Sequence, residues 1–301
     1  MSKAAIETVD LTKQYGQLTA LDSVSLTVGQ GDIYGLVGRN GAGKTTFFKC
    51  LLGLAHPSSG AIRLFGSEDR AARTQAKCQV GFLITASFYG YLSAPANLEF
   101  LCRARGLQTA GEVDRLLKLV GLADVKRPYK TFSYGMKQRL GLAGALLGSP
   151  SLVILDEPIN GLDPQGIIDI RNILKDYNDQ TGATLVVSSH ILSELDLVAT
   201  RFGFLEQGRL LKEISHTELH EQTASALVIE VDDQAKARAI LNTMGISASQ
   251  SGRHLTLHSH LDQAGRIARH LVEAGLELTG LYRQETTLEE YFMRLIGNSD
   301  V

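Results

Sequence analysis

Short alternating or apolar runs fill the first 66 residues: VDL at 9–11, VSLTV at 24–28, IYGLV at 33–37 and AIRLF at 61–65, set apart by glycine-bearing turns. Such runs between turn signals predict strands. After Gly43 the period changes. Phe47, Phe48, Leu51 and Leu52 recur at helical spacing, so a helix follows the strand at 33–37. From about 86 to 148 the pattern is helical: Ser93 ahead of Pro95 marks a start, and Val113, Leu116, Leu117 and Val120 form one face. This stretch reads as a helical insertion. Ser133, taken alone, fits the N-cap of an amphipathic helix carrying Met136, Leu140, Ala143 and Leu147.

Beyond the insertion, the apolar runs LVILD at 152–156 and TLVVSS at 184–189 flank a helix opening at Asp163 and Pro164, the repeat of parallel βαβ units. FGFLEQGRLL at 202–211 reads as a closing hairpin, and the polar residues 215–225 as a linker. The pattern then restarts as strand, helix, strand, strand, helix, strand: ALVIEV, KARAILNTM, ISAS, HLTLHS, RIARHLVEA and ELTGLY. That order predicts a small α+β domain of ferredoxin-like βαββαβ type. LEEYFMRLI at 288–296 adds a last amphipathic helix. The expected domains are 1–222 and 223–301.

Composition narrows the function classes. With 30 basic and 32 acidic side chains and a net charge of -2, the chain has no polyelectrolyte character, so nucleic acid is not the expected partner. Cys50, Cys78 and Cys102 have neither CxxC nor zinc-finger spacing and read as buried thiols of a reducing compartment. No run of about 18 apolar residues occurs, so the chain is not expected to cross a membrane by itself.

GRNGAGKT at 38–45 fits G-x-x-x-x-G-K-[ST] between a strand and a helix, the context that makes this motif a phosphate loop. Gly38, Arg39, Asn40, Gly41, Ala42 and Gly43 would wrap their backbone amides around phosphate oxygens, and the helix N-terminus at Lys44, Thr45 and Thr46 adds its dipole. Lys44 is expected to reach the β and γ phosphates, and Thr45 to place its hydroxyl on Mg²⁺. LVILDEP at 152–158 delivers Asp156 to that metal, and Glu157 just beyond the γ phosphate as candidate general base. His190, in SSHIL at the end of the next strand, falls at the same sheet edge and is expected to contact the γ phosphate.

With the phosphate loop, DEP, NGLDP at 160–164 and SSH in this order, FSYGMKQRL at 132–140 resembles the signature motif of ABC-type ATPases. The resemblance covers residues 5 to about 215 and implies an α/β P-loop NTPase fold with an antiparallel β subdomain and a helical insertion, using ATP and Mg²⁺. It further implies two ATPase domains packed head to tail, as a homodimer or heterodimer, with Ser133, Tyr134 and Gly135 meeting ATP held by the partner's phosphate loop. Asp163 of NGLDP joins the nucleotide-site residues, and Tyr15 in KQYG matches the aromatic that stacks on adenine.

Two positions depart from the family pattern. Tyr134 replaces a glycine in the usual Leu-Ser-Gly-Gly-Gln, while Ser133 and Gly135 keep the hydroxyl and the open backbone. Thr85 occupies the place of a glutamine that touches metal and lytic water, and its shorter side chain predicts slower hydrolysis. The leading expectation is the ATPase subunit of an ABC transporter at the cytoplasmic side of the membrane, driving a separate transmembrane permease met by the insertion near 86–100. The LIxxxSFYGYLSAPANL context and the extra C-terminal domain resemble ATPase subunits of multidrug, bacteriocin-immunity and bacitracin-resistance exporters. The alternatives are a soluble ABC ATPase of repair or translation, and a nucleotide-controlled binding module with little turnover.

Overall fold

The computed structural model describes residues 3–67, 78–85, 87–108, 111–251, 254–257, 259–284 and 287–297. The chain forms two compact units, one of residues 1–216 together with the end of the chain from Leu295, the other Thr217–Arg294.

In the first unit the strands are β1 (Ala4–Tyr15), β2 (Leu18–Gly29), β3 (Ile33–Val37), β4 (Ser59–Leu64), β5 (Val80–Leu83), β6 (Leu152–Asp156), β7 (Thr184–Ser189), β8 (Arg201–Glu206) and β9 (Arg209–Ser215). The helices are α1 (Lys44–Leu52), α2 (Ala94–Ala104), α3 (Glu112–Leu119), α4 (Tyr134–Leu146), α5 (Pro164–Thr181) and α6 (Leu192–Asp196). Strands β2, β1 and β4 pair antiparallel in that order. The apolar runs mark only part of β1 and β2, because the residues beside them, Ala4–Thr8 and Leu18–Ser23 among them, join the ladder to satisfy their backbone groups.

A six-stranded sheet of order β5-β6-β7-β3-β8-β9 forms the core, parallel except for the last pair. Every residue of β3, β6 and β7 is buried, as befits parallel strands covered on both faces. In register, Val37 lies beside Ser189 and Asp156 beside Ser188. The sheet therefore releases the chain after β3, β6 and β7 along one edge, where α/β folds bind ligands. Phe47, Phe48 and Leu51 of α1 pack into the cluster that holds Leu36, Ile154 and Val186, anchoring the loop between β3 and α1. Burying each such side chain contributes about 1.5–3 kcal/mol. Deep in the same unit, Tyr34 donates a 2.8 Å hydrogen bond to Glu213, and burial pushes both groups above their ordinary pKa.

The insertion is helical as expected, with Ser93 accepting from the Ala96 amide to cap α2. Its last helix differs from the expected amphipathic form. Residues Leu140 through Leu146 are all buried, since α4 runs into the body of the unit and meets protein on every side. Cys50 and Cys102 are buried, but Cys78 is exposed just before β5, so the expectation of three buried thiols fails there.

The polar stretch read as a linker is largely a helix, α7 (His216–Thr223), whose one apolar residue Leu219 is fully buried. A single anchoring leucine leaves no periodic signal. The second unit continues with β10 (Ala226–Val231), α8 (Gln234–Thr243), β11 (Ser249–Ser251), β12 (His254–Leu257), α9 (Ala264–Glu273), β13 (Leu278–Gln284) and the part of α10 (Leu288–Gly297) up to Arg294. Its sheet has the order β11-β12-β10-β13 with every neighbour antiparallel, the ferredoxin-like arrangement. The strand expected at 246–249 begins only at Ser249, because Ile246 and Ala248 are spent on the core shared with Leu241, Leu255 and Ile267. Among the described residues no helix is long and apolar enough to cross a membrane.

Candidate functional site

The loop between β3 and α1 is shaped by positions where no side chain fits. A Cβ on Gly38 would stand 2.4 Å from the Leu205 carbonyl oxygen, and one on Gly43 would stand 2.6 Å from that of Ala20. Gly43 also has φ +109, a conformation that side chains rarely adopt. As the N-cap of α1 it offers no side-chain acceptor, so the first-turn amides remain free for an anion. Lys44 is 5% exposed, and its Nζ donates to the carbonyls of Gly38 at 2.5 Å and Arg39 at 3.1 Å.

These residues open onto a cavity of about 690 Å³ lined by Tyr15, the loop from Arg39 to Thr46, and Glu157. Tyr15 is 47% exposed, and Lys13 Nζ lies 4.7 Å from its ring centroid. An aromatic face, a glycine-rich anion cradle and a carboxylate thus share one depression.

At the floor of the site the ends of β6 and β7 meet. Thr45 Oγ1 donates to Asp156 Oδ2 at 2.5 Å, and Ser188 Oγ donates to Asp156 Oδ1 at 2.7 Å. Adjacent hydroxyl and carboxylate oxygens beside a phosphate cradle are the hard donors that suit Mg²⁺. Glu157 follows with φ +49, its amide donating to Ser188 Oγ at 2.9 Å. Its carboxylate bridges two partners, with Lys44 Nζ 3.1 Å from Oε1 and His190 Nδ1 2.9 Å from Oε2.

The remaining expected site residues lie apart from this cavity. Ser133 caps α4, its hydroxyl accepting from the Met136 amide at 3.3 Å. Tyr134 is 52% exposed and accepts from Gln138 Nε2 at 2.8 Å. A Cβ on Gly161 would come within 3.1 Å of the Tyr134 ring, and one on Gly135 within 3.3 Å of Leu162, so the signature stretch rests on the NGLDP loop. Asp163 caps α5 through the Gly166 amide. Thr85 is exposed in the bend after β5.

Sequence reasoning missed three contributors. Gln207 and Gly208, in the turn between β8 and β9, also line the cavity, and the Gly208 amide donates to the Ala42 carbonyl at 2.9 Å. A hairpin glycine carries no hint of a partner 166 positions upstream. Ser188 stood within the SSH motif, where only the histidine drew notice.

A phosphate loop on a parallel sheet, paired with strand-end carboxylates and flanked by an antiparallel sheet and a helical insertion, defines an ABC-type ATPase. Residues 21–160 match the ABC transporter family. The chain is 40% identical to the bacitracin transport ATP-binding protein BcrA of Enterococcus faecalis, over 98% of this chain and 97% of that protein. A solved ATP-binding subunit of an ABC transporter is 29% identical with a TM-score of 0.65, covering 72% of this chain and 92% of its own. A bacterial ABC transporter cassette, solved as a dimer, is 25% identical with a TM-score of 0.63, covering 70% of this chain and 98% of its own. The chain belongs to the ABC transporter ATP-binding proteins, as a subunit that binds and hydrolyses ATP.

Proposed function

We propose that this subunit works at the cytoplasmic side of a membrane, as one half of a homodimer or heterodimer, and powers export of a drug, peptide or lipid-like substrate through a separate permease. The observation that carries the catalytic part is the Lys44–Glu157–His190 chain of contacts at the mouth of the glycine cradle. The full-length likeness to a bacitracin transport protein supports transport over repair or translation. Exposed Tyr89, Tyr91 and Phe100, with the Tyr89 and Phe100 rings 4.9 Å apart, support a permease contact on the insertion.

In this reading the amides of residues 39–46 and the Lys44 ammonium hold the phosphates, and Tyr15 stacks on adenine. Thr45 and Asp156 would hold Mg²⁺, which would supply positive charge against that of the phosphates. Glu157 accepts the proton of the attacking water through its carboxylate, and His190 holds that carboxylate in line. Ser133 and Gly135 of one subunit close the nucleotide site of the other, with Tyr134 alongside and Asp163 fixing the adjoining loop. Thr85 stands where a longer amide would help to orient the water.

Glu157→Gln tests the scheme. It is expected to keep ATP affinity while hydrolysis falls at least about a hundredfold, so that an ATP-loaded dimer accumulates on size exclusion in ATP and Mg²⁺. Hydrolysis at the parent rate would remove Glu157 from the role of base.

A further inference from the structure

We propose that Ser188 is a positioning residue for hydrolysis: its single hydroxyl couples Asp156 to Glu157 and holds both in working geometry. This rests on the reading that Asp156 serves the metal and Glu157 the water.

Ser188 is the penultimate residue of β7, fully buried, directly beside Asp156 across the parallel pairing. A hydroxyl sealed in such a place is costly unless its bonds are made. Here both of its capacities are used on the two acidic residues. Its proton goes to Asp156 Oδ1 at 2.7 Å and its lone pair receives the Glu157 amide at 2.9 Å. The neighbouring Ser189 does something local, accepting from the Ile191 amide at 3.0 Å two residues on. The Ser188 hydroxyl reaches instead across to the end of β6.

Two consequences follow from the geometry. With Ser188 on Oδ1 and Thr45 on Oδ2, the Asp156 carboxylate is held at both oxygens and its plane is set. Glu157, at φ +49, occupies the left-handed region that non-glycine residues seldom enter, which turns its side chain out of the strand direction toward Lys44 and His190. The hydrogen bond from the Glu157 amide to Ser188 holds that turn closed. A strained main chain at this point persists only where its surroundings determine it, and the Ser188 hydroxyl holds its amide while Lys44 and His190 hold its carboxylate.

The physical requirement is one group that donates and accepts at once in a small volume. Serine and threonine meet it; alanine does not, and the thiol of cysteine does so only weakly. Nucleotide affinity depends on different atoms, the loop amides and Lys44. Removing the hydroxyl should therefore lower turnover and leave binding nearly intact.

The test compares Ser188→Ala, Ser188→Cys and Ser188→Thr in the full chain by kcat, KM, ATP affinity from equilibrium dialysis, and thermal midpoint. The alanine and cysteine variants are expected to lose about tenfold in kcat with KM and ATP Kd within about twofold of the parent, and threonine to retain most of the turnover. Parent-like kcat in Ser188→Ala overturns the proposal. So does a matching loss of ATP affinity, which would assign the hydroxyl to the integrity of the whole site. Glu157→Gln, assayed alongside, separates the two levels: an inactive Glu157→Gln with an unaffected Ser188→Ala defeats only the role of Ser188, whereas an active Glu157→Gln defeats the underlying reading and this proposal with it.

Discussion

Helices α1 and α4 both open with residues expected to meet nucleotide, yet their N-termini are finished differently. At α1 the cap is Gly43, which supplies no side-chain acceptor, and the free amides face a cavity already furnished with Lys44, Glu157 and Tyr15. At α4 the Ser133 hydroxyl accepts from the Met136 amide, and the exposed Tyr134 lies beside it. The first end is incomplete without a ligand in its own chain; the second is satisfied by itself and lies on the surface. An uncapped helix in a furnished pocket can hold an anion alone. In the proposed dimer, a capped end adds only a hydroxyl proton and bare backbone to a nucleotide brought by a second subunit.

The largest expected effect comes from breaking the first end. Lys44→Ala removes a nearly buried cation from the phosphates and should weaken ATP binding by about a hundredfold, equivalent to roughly 2.7 kcal/mol. Equilibrium dialysis measures it directly; unchanged affinity would mean that the cavity is not the nucleotide site. The second end should respond only in assembly. In a Glu157→Gln background, Ser133→Asp keeps an N-cap acceptor while placing negative charge toward the phosphate, so ATP-induced dimers should be lost with monomer affinity and thermal midpoint maintained. Loss of monomer ATP affinity instead would merge the two sites into one.

The smallest effect tests the bend beside the insertion. Thr85→Gln lengthens an exposed side chain and is expected to raise turnover of the isolated subunit by up to about tenfold, about 1.4 kcal/mol of barrier. No change there, with loss only in the permease complex, would assign position 85 to coupling.

Much of this was legible in the residues. The switch from alternating to helical spacing after Gly43, the buried run ending at Asp156 and the histidine after TLVVSS marked the elements and the order in which they reach the sheet edge. Periodicity in the last 76 residues was enough for the strand and helix order of the second unit. Less visible were single anchors and long-range partners. Leu219 made a helix of a polar stretch, and Gly208 joined the phosphate loop from a hairpin turn. The all-round burial of α4 reflects its neighbours, which its own pattern does not encode. Cys78 looked like any other apolar-compatible thiol, and only its place before β5 exposes it.

The order of residues supplied the chemistry available: a glycine loop with one lysine, two adjacent carboxylates, a histidine, and a serine ahead of a helix, each in a local context dictated by backbone freedom and side-chain period. Tertiary structure decided which of them act together. Strand order brought β6 and β7 side by side, so that Ser188 could join Asp156 to Glu157, and left Ser133 away from the cavity of its own chain. Hydrogen bonds act over about 3 Å, and distances of that size between residues 32 positions apart arise only when the sheet has chosen its neighbours.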